Sequence, residues 1–205
     1  MSIIETSKIK IQLANPTGLG LFGLAIVTLV AASQKLHITE GLSYVIVYAI
    51  FLGATAQLVA SIFDFLHDNI WGATVFGAYA FFWYAIATCW MMKMGVFGPI
   101  LAAATDVGQI VFAFLGYLIF SLFMTIGALE VNKMIFTIMV FIDILLAALT
   151  LNAFGVAPAL TGTVAGIAEM VTSLLSFYAA SAVVLNTHFG RAFMPMGKPF
   201  GIFKK

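Results

Sequence analysis

The charges of this chain lie so far apart that they decide its class. After Glu5, Lys8 and Lys10, no Asp, Glu, Lys or Arg occurs from Ile11 to Gln34, and further uncharged runs extend from Gly41 to Phe63, Trp71 to Met92 and Val107 to Leu129. Two more apolar stretches, 134–151 and 162–186, each hold a single acid, Asp143 and Glu169. A helix that crosses a bilayer needs about 20 apolar residues, because each adds about 1.5 Å toward a hydrocarbon layer of about 30 Å. The pattern therefore predicts six transmembrane helices. Composition agrees: 8% of residues are charged and 63% hydrophobic, where a soluble domain carries about 25% charged residues. Such a chain cannot cover itself with polar surface, so the fold class is an all-α integral membrane protein. A transmembrane barrel would need strands of about 10 residues with alternating polarity.

The connections are short and polar. They hold Lys35, His37 and Glu40; Asp64, His67, Asp68 and Asn69; residues 93–106 with Gly95, Gly98 and Pro99; Glu130, Asn132 and Lys133; and residues 152–161 with Gly155 and Pro158. All five prolines fall at span ends or in tails, which predicts straight helices without mid-membrane breaks. The organisation is a tail at 1–14, a six-helix transmembrane domain at 15–186 and a second tail at 187–205. Six spans put both termini on one side. That side carries Lys8, Lys10, Lys133, Arg191, Lys198, Lys204 and Lys205, against Lys35 and Lys93 opposite, so both termini are expected in the cytoplasm of a multi-pass cell-membrane protein.

Several function classes find no support. A net charge of +1 gives no electrostatic footprint for nucleic acid. The single cysteine, Cys89, excludes an intrachain disulfide and a multi-cysteine metal site, and reads as a small buried hydrophobe. His37, His67 and His188 are far apart, at span ends or in loops, and no catalytic or metal-ligating spacing points to an enzyme, a metal or a cofactor. No lysine sits in the middle of a span, as a Schiff-base pigment would require.

What remains is a conduit. Polar groups inside a bilayer are costly, about 2.5–3.5 kcal/mol for a mid-span charge on insertion scales, and mark functional sites by default. Gln57, Gln109, Asp143 and Glu169 are the candidates, each weighed against a plain helix–helix hydrogen bond. Asp143, Glu169 and Asp64, at the end of the second span, are the candidate proton-linked acids. The third-span aromatics Phe76, Tyr79, Phe82 and Trp83 read first as packing or lipid-facing groups. At the start of the first span, Asn15 is placed to cap free N–H groups and Pro16 to occupy the first helical position. Gly18, Gly20 and Gly23 open one part of that helix to a close neighbour, and Gly162 and Gly166 do the same in the sixth span.

Four stretches in order resemble the acetate uptake transporter family, the succinate–acetate permeases (GPR1/FUN34/YaaH family). They are Asn15-Pro16-Thr17-Gly18-Leu19-Gly20-Leu21; Gly53-Ala54-Thr55-Ala56-Gln57 followed by Asp64; Asn69-Ile70-Trp71-Gly72 through Ala78-Tyr79-Ala80-Phe81-Phe82-Trp83; and Leu185-Asn186 with Phe189-Gly190-Arg191 and Pro195-Met196-Gly197. The resemblance implies six-helix protomers in a homohexamer, each with its own pore for acetate and, in some members, succinate and other small carboxylates. It also implies a hydrophobic constriction of Phe, Tyr and Leu, whose positions fall here on Leu24, Tyr79 and near Ile142. Asn15, Thr17 and Gln57 are then expected to hold the carboxylate in a vestibule. Thr17-Gly18 replaces the family's Ala-Pro, and Asp143 and Glu169 depart from its pattern. These acids open the alternative of a proton-coupled symporter. The other alternative, a membrane acetate sensor that does not conduct, is disfavoured by the short head and tail.

Overall fold

The computed structural model describes residues 13–203. Among them, six helices are long and apolar enough to cross a membrane: Thr17–Lys35, Ser43–Leu66, Ile70–Lys93, Val107–Ala128, Lys133–Ala153 and Pro158–Phe189. They are called spans one to six. The chain is thus an all-helical multi-pass membrane protein. Of the basic residues used to orient it, Lys8, Lys10, Lys204 and Lys205 lie outside the described residues. Lys35 and Lys93 end spans one and three on one side, while Lys133, Arg191 and Lys198 lie on the other.

The six spans form a ring in chain order, closed by the contact of span one with span six, and its loosest seam runs between spans three and four. Small residues let the backbones meet. A Cβ on Gly23 would lie 2.5 Å from the Leu52 carbonyl oxygen, and one on Gly53 would meet Val27 and Trp83. Gly20 receives the ring of Phe76, and Gly18 receives Val184. In span six, Gly166 takes the side chains of Lys35 and Leu36. In lipid there is little hydrophobic drive between helices, so such close packing and interhelical hydrogen bonds hold the ring together.

The expectation of straight, unbroken helices is corrected in span two. Between the α-helical pieces Ser43–Tyr48 and Gln57–Leu66, residues Ala49–Ala56 are π-helical. Proline has no part in this. The wide turn is accompanied by Thr55 Oγ1, which donates to the carbonyl of Ile50, five residues back, at 2.8 Å and also lies 2.8 Å from the Tyr84 hydroxyl. The segment is where span two runs against Gly23 and Trp83, so tertiary packing outweighs the α preference.

Other boundaries move modestly. The third link contains a short helix, Pro99–Ala103, and the link before span six shrinks to 154–157 because span five continues to Ala153 and span six starts at Pro158. At the start of span one the cap shifts by a residue. Pro16 occupies the cap position, its carbonyl accepting from Leu19 and Gly20, and Asn15 Oδ1 accepts from the Thr17 N–H at 2.9 Å. After span six the chain turns at Gly190 and folds back. Asn186 pairs twice with the Met194 backbone, Met134 N–H donates to Met196 and Phe200 N–H donates to Leu129. The tail thus straps the link between spans four and five.

Candidate functional site

Two cavities lie end to end inside the ring. The proximal one, about 90 Å³, sits where spans one, three and five begin, and Thr17, Gln57, Asn69, Gly72 and Phe76 are in its wall. The distal one, about 250 Å³, sits where those spans end and is bounded by Thr28, Lys35, Trp83, Trp90, Glu169 and Thr172 among others. Three residues line both: Leu24, Tyr79 and Ile142. At about 1.5 Å per residue they stand roughly 10–14 Å above the starts of their helices, so one layer of apolar side chains from spans one, three and five separates the two spaces. All three are buried.

Tyr79 is held firmly in that layer. Its hydroxyl donates to Ser121 Oγ at 2.9 Å, and its ring stacks on Tyr117 at 6.4 Å between centroids. Ser121 in turn donates to Asp143 Oδ1, and Thr125 donates to Asp143 Oδ2 at 2.7 Å. Asp143 is therefore the end acceptor of a chain of hydroxyls between spans four and five, and it belongs to the lining of neither cavity. The chain takes up the polar tip of Tyr79, so the ring presents hydrocarbon to the passage.

Glu169 lies elsewhere. It is 1% exposed, about three turns into span six, and its Oε2 is 2.8 Å from Lys35 Nζ. Lys35 belongs to the last turn of span one, and both residues line the distal cavity. Asp64 is buried at the other end of the protein. Its backbone carbonyl accepts from His67 and Asn69, and one carboxylate oxygen, Oδ2, has no protein partner. Its neighbours Asn69 and Gly72 line the proximal cavity, whereas Asp64 itself does not.

The sequence-expected vestibule set divides. Thr17 and Gln57 line the proximal cavity, but Asn15 is exposed, outside that wall, with its amide oxygen engaged by Thr17. Gln57 is fully buried. Its Nε2 donates to Gly53 O at 2.7 Å and its Oε1 is left without a protein partner beside the cavity. Gln109 is exposed and lines neither cavity; with the half-buried Cys89 it borders the groove between spans three and four, which shares Phe82, Ile86 and Trp90 with the distal cavity.

Sequence reasoning missed Lys35, which reads as an ordinary link residue because its partner is 134 positions away. Of the third-span aromatics it placed only Tyr79 on the pathway. Phe76, Phe82 and Trp83 are also buried, and besides packing between helices each lines one of the cavities. Their signal was the spacing of three and four residues, continued by Ile86 and Trp90, which puts one side of the helix toward the axis of the ring.

Comparison with known proteins converges on one family. The GPR1/FUN34/yaaH family profile matches residues 4–197. An uncharacterized protein of Methanothermobacter thermautotrophicus is 28% identical over 186 residues, covering 89% of this chain and 90% of that protein. The succinate-acetate/proton symporter SatP of Escherichia coli K12 is 27% identical over 191 residues, covering 91% of this chain and 97% of that protein. The solved structure of the bacterial acetate channel SatP matches with a TM-score of 0.82 and 27% identity, over 91% of this chain and all of that one.

Proposed function

Because the chain belongs to the GPR1/FUN34/yaaH family, we propose that it moves acetate and other small carboxylates across a membrane along the axis of its six-helix ring. The observation that carries this reading is the pair of cavities separated by a single layer formed by Leu24, Tyr79 and Ile142. Such a layer makes every anion shed water from its charged part, while the methyl group of acetate loses nothing there, so a proton or a cation that offsets the carboxylate's charge lowers the cost of crossing. SatP is a symporter by one name and an acetate channel by the other, which supports a conduit over an enzyme.

In this reading Thr17 and Gln57 form the proximal vestibule with Asn15 shaping its rim, and Leu24, Tyr79 and Ile142 form the gate. Asp64, Asp143 and Glu169 are the acids to test for proton coupling. Residues 1–14 and 190–205 are cytoplasmic tails, the sequence-expected boundary at 186 moving to the end of span six at Phe189; the transport domain lies between them, the proximal side faces the cytoplasm of the cell, and protomers assemble as a homohexamer. The basic residues on the proximal side support the orientation, and the family resemblance supports the hexamer.

Labelled acetate flux into proteoliposomes tests the reading, with chloride, succinate and empty vesicles as controls. Acetate flux above that of empty vesicles is expected, and Leu24→Ala or Tyr79→Ala is expected to raise it or admit larger carboxylates. A wild-type rate equal to that of empty vesicles refutes transport. Unchanged flux and selectivity in both variants removes these residues from the gate. Flux that only follows the acetate gradient marks a channel, and accumulation driven by an imposed proton gradient marks a symporter.

A further inference from the structure

The distal cavity contains a cation that is already matched. Lys35 Nζ and Glu169 Oε2 are 2.8 Å apart in a wall otherwise made mostly of Leu, Ile, Phe and Trp. The Lys35 side chain is 20% exposed and that of Glu169 is 2% exposed, so the amine is the member of the pair that reaches open space. Of the hydroxyls in the same wall, Thr28 and Thr172 donate to carbonyls of their own helices at 2.7 and 2.9 Å, and Tyr79 donates to Ser121. Lys35 is therefore the strongest donor this cavity offers to a carboxylate.

We propose that Lys35 is the carboxylate-binding residue of the distal cavity and that Glu169 is its resident counter-ion, which must take up a proton before a substrate carboxylate can replace it. This rests on the carboxylate-transport reading above. The argument is one of charge. With the pair ionised the cavity is neutral. Adding a carboxylate leaves one uncompensated negative charge in a low-dielectric space, which is costly. If a proton from solution binds Glu169, the lysine is released and the incoming carboxylate takes its place. The cavity is neutral again, and one proton has entered with each carboxylate.

Among the described residues no other charged group lines the distal cavity, and Lys93, at the end of span three, borders the neighbouring groove instead. From span three the titratable neighbour is Tyr79, whose hydroxyl is committed to Ser121. From span five it is Asp143, held by Ser121 and Thr125 outside the cavity. On the link after Lys35, His37 and Glu40 are exposed.

The test is initial acetate uptake into proteoliposomes held at equal internal and external pH, with empty-vesicle rates subtracted. Raising pH removes the proton from Glu169, restores the pair and weakens loading. The apparent KM of the wild type is therefore expected to rise about tenfold per pH unit above the titration of Glu169, the slope of one linked proton. Glu169→Gln frees Lys35 permanently, so its KM is expected to be low and flat with pH. Lys35→Met/Glu169→Gln, which carries no charge in the cavity, is expected to be flat with a KM at least tenfold higher than Glu169→Gln. A Glu169→Gln profile that follows the wild type overturns the proposal, as does a double variant with the KM of Glu169→Gln. Should the variants fail to assemble, calorimetric titration of the wild type with acetate in two buffers of different ionisation enthalpy reads proton uptake directly. One proton per carboxylate is expected, and none overturns the proposal. Failure of the transport reading itself looks different: the wild type then shows no acetate uptake at any pH.

Discussion

The approach of span one to span two gives a prediction whose size follows from the coordinates. A Cβ on Gly23 would stand 2.5 Å from the carbonyl oxygen of Leu52 and 3.0 Å from the Ala56 methyl. Ordinary contact begins near 3.4 Å, so Gly23→Ala requires the backbones to separate by roughly 0.5–1 Å, and forced insertions of this kind cost about 1–3 kcal/mol. The same substitution gains about 1 kcal/mol of helix propensity. Gly116, in span four, supplies the control because nothing lies within 4 Å of its Cβ position. Gly116→Ala should therefore keep the propensity gain, and the two variants should differ by about 1–3 kcal/mol. For a chain of this size that difference is about 2–12 °C in melting temperature, readable from thermal unfolding of the detergent-solubilised protein. Gly23→Ala should also slow acetate uptake, because Leu52 lies in the π-helical stretch that leads into Gln57. Equal melting temperatures for the two variants would refute the close approach of spans one and two on which this reasoning rests.

Two other substitutions read the buried polar groups. Lys35→Met alone leaves Glu169 buried without its cation and should destabilise the protein by about 3–5 kcal/mol, while adding Glu169→Gln should recover most of the loss; a double-mutant cycle of melting temperatures checks this. Asp143→Asn replaces an acceptor of two hydroxyls by a group with one carbonyl oxygen. It should cost about 1–2 kcal/mol and, by loosening Ser121 beneath Tyr79, raise the ratio of succinate to acetate flux; Ser121→Ala should move that ratio in the same direction.

The sequence revealed the spans because their signal is local. Long uncharged runs admit one reading in a bilayer, and the ends at Lys35, Lys93 and Lys133 fall where charges return. Leu24 and Tyr79, which line both cavities, were reached through motifs close to them, and Ile142 by its place along the fifth span. What the sequence did not disclose is what depends on a distant partner. Lys35 looks like a link residue until span six brings Glu169 to it, and Asp143, singled out as an intramembrane acid, shows its hydroxyl donors only once span four supplies Ser121 and Thr125. The π-helical stretch was illegible for a similar reason. Ala-Ile-Phe-Leu-Gly-Ala-Thr-Ala carries no proline and no charge, and its wide turn is accompanied by contacts with spans one and three.

That stretch also sets the aim of everything after it. A π turn is an α-helix that has accommodated an extra residue, and each residue of an α-helix turns the chain by about 100°. Were the eight residues from Ala49 to Ala56 α-helical instead, the span would keep its hydrophobicity, yet Gln57, Ser61 and Asp64 would be rotated together by about a quarter of a turn or more relative to Ser43–Tyr48. The stretch therefore acts as a phase setting between the two halves of span two. A chain lacking one residue there can close into an unbroken α-helix with both halves facing as they do now.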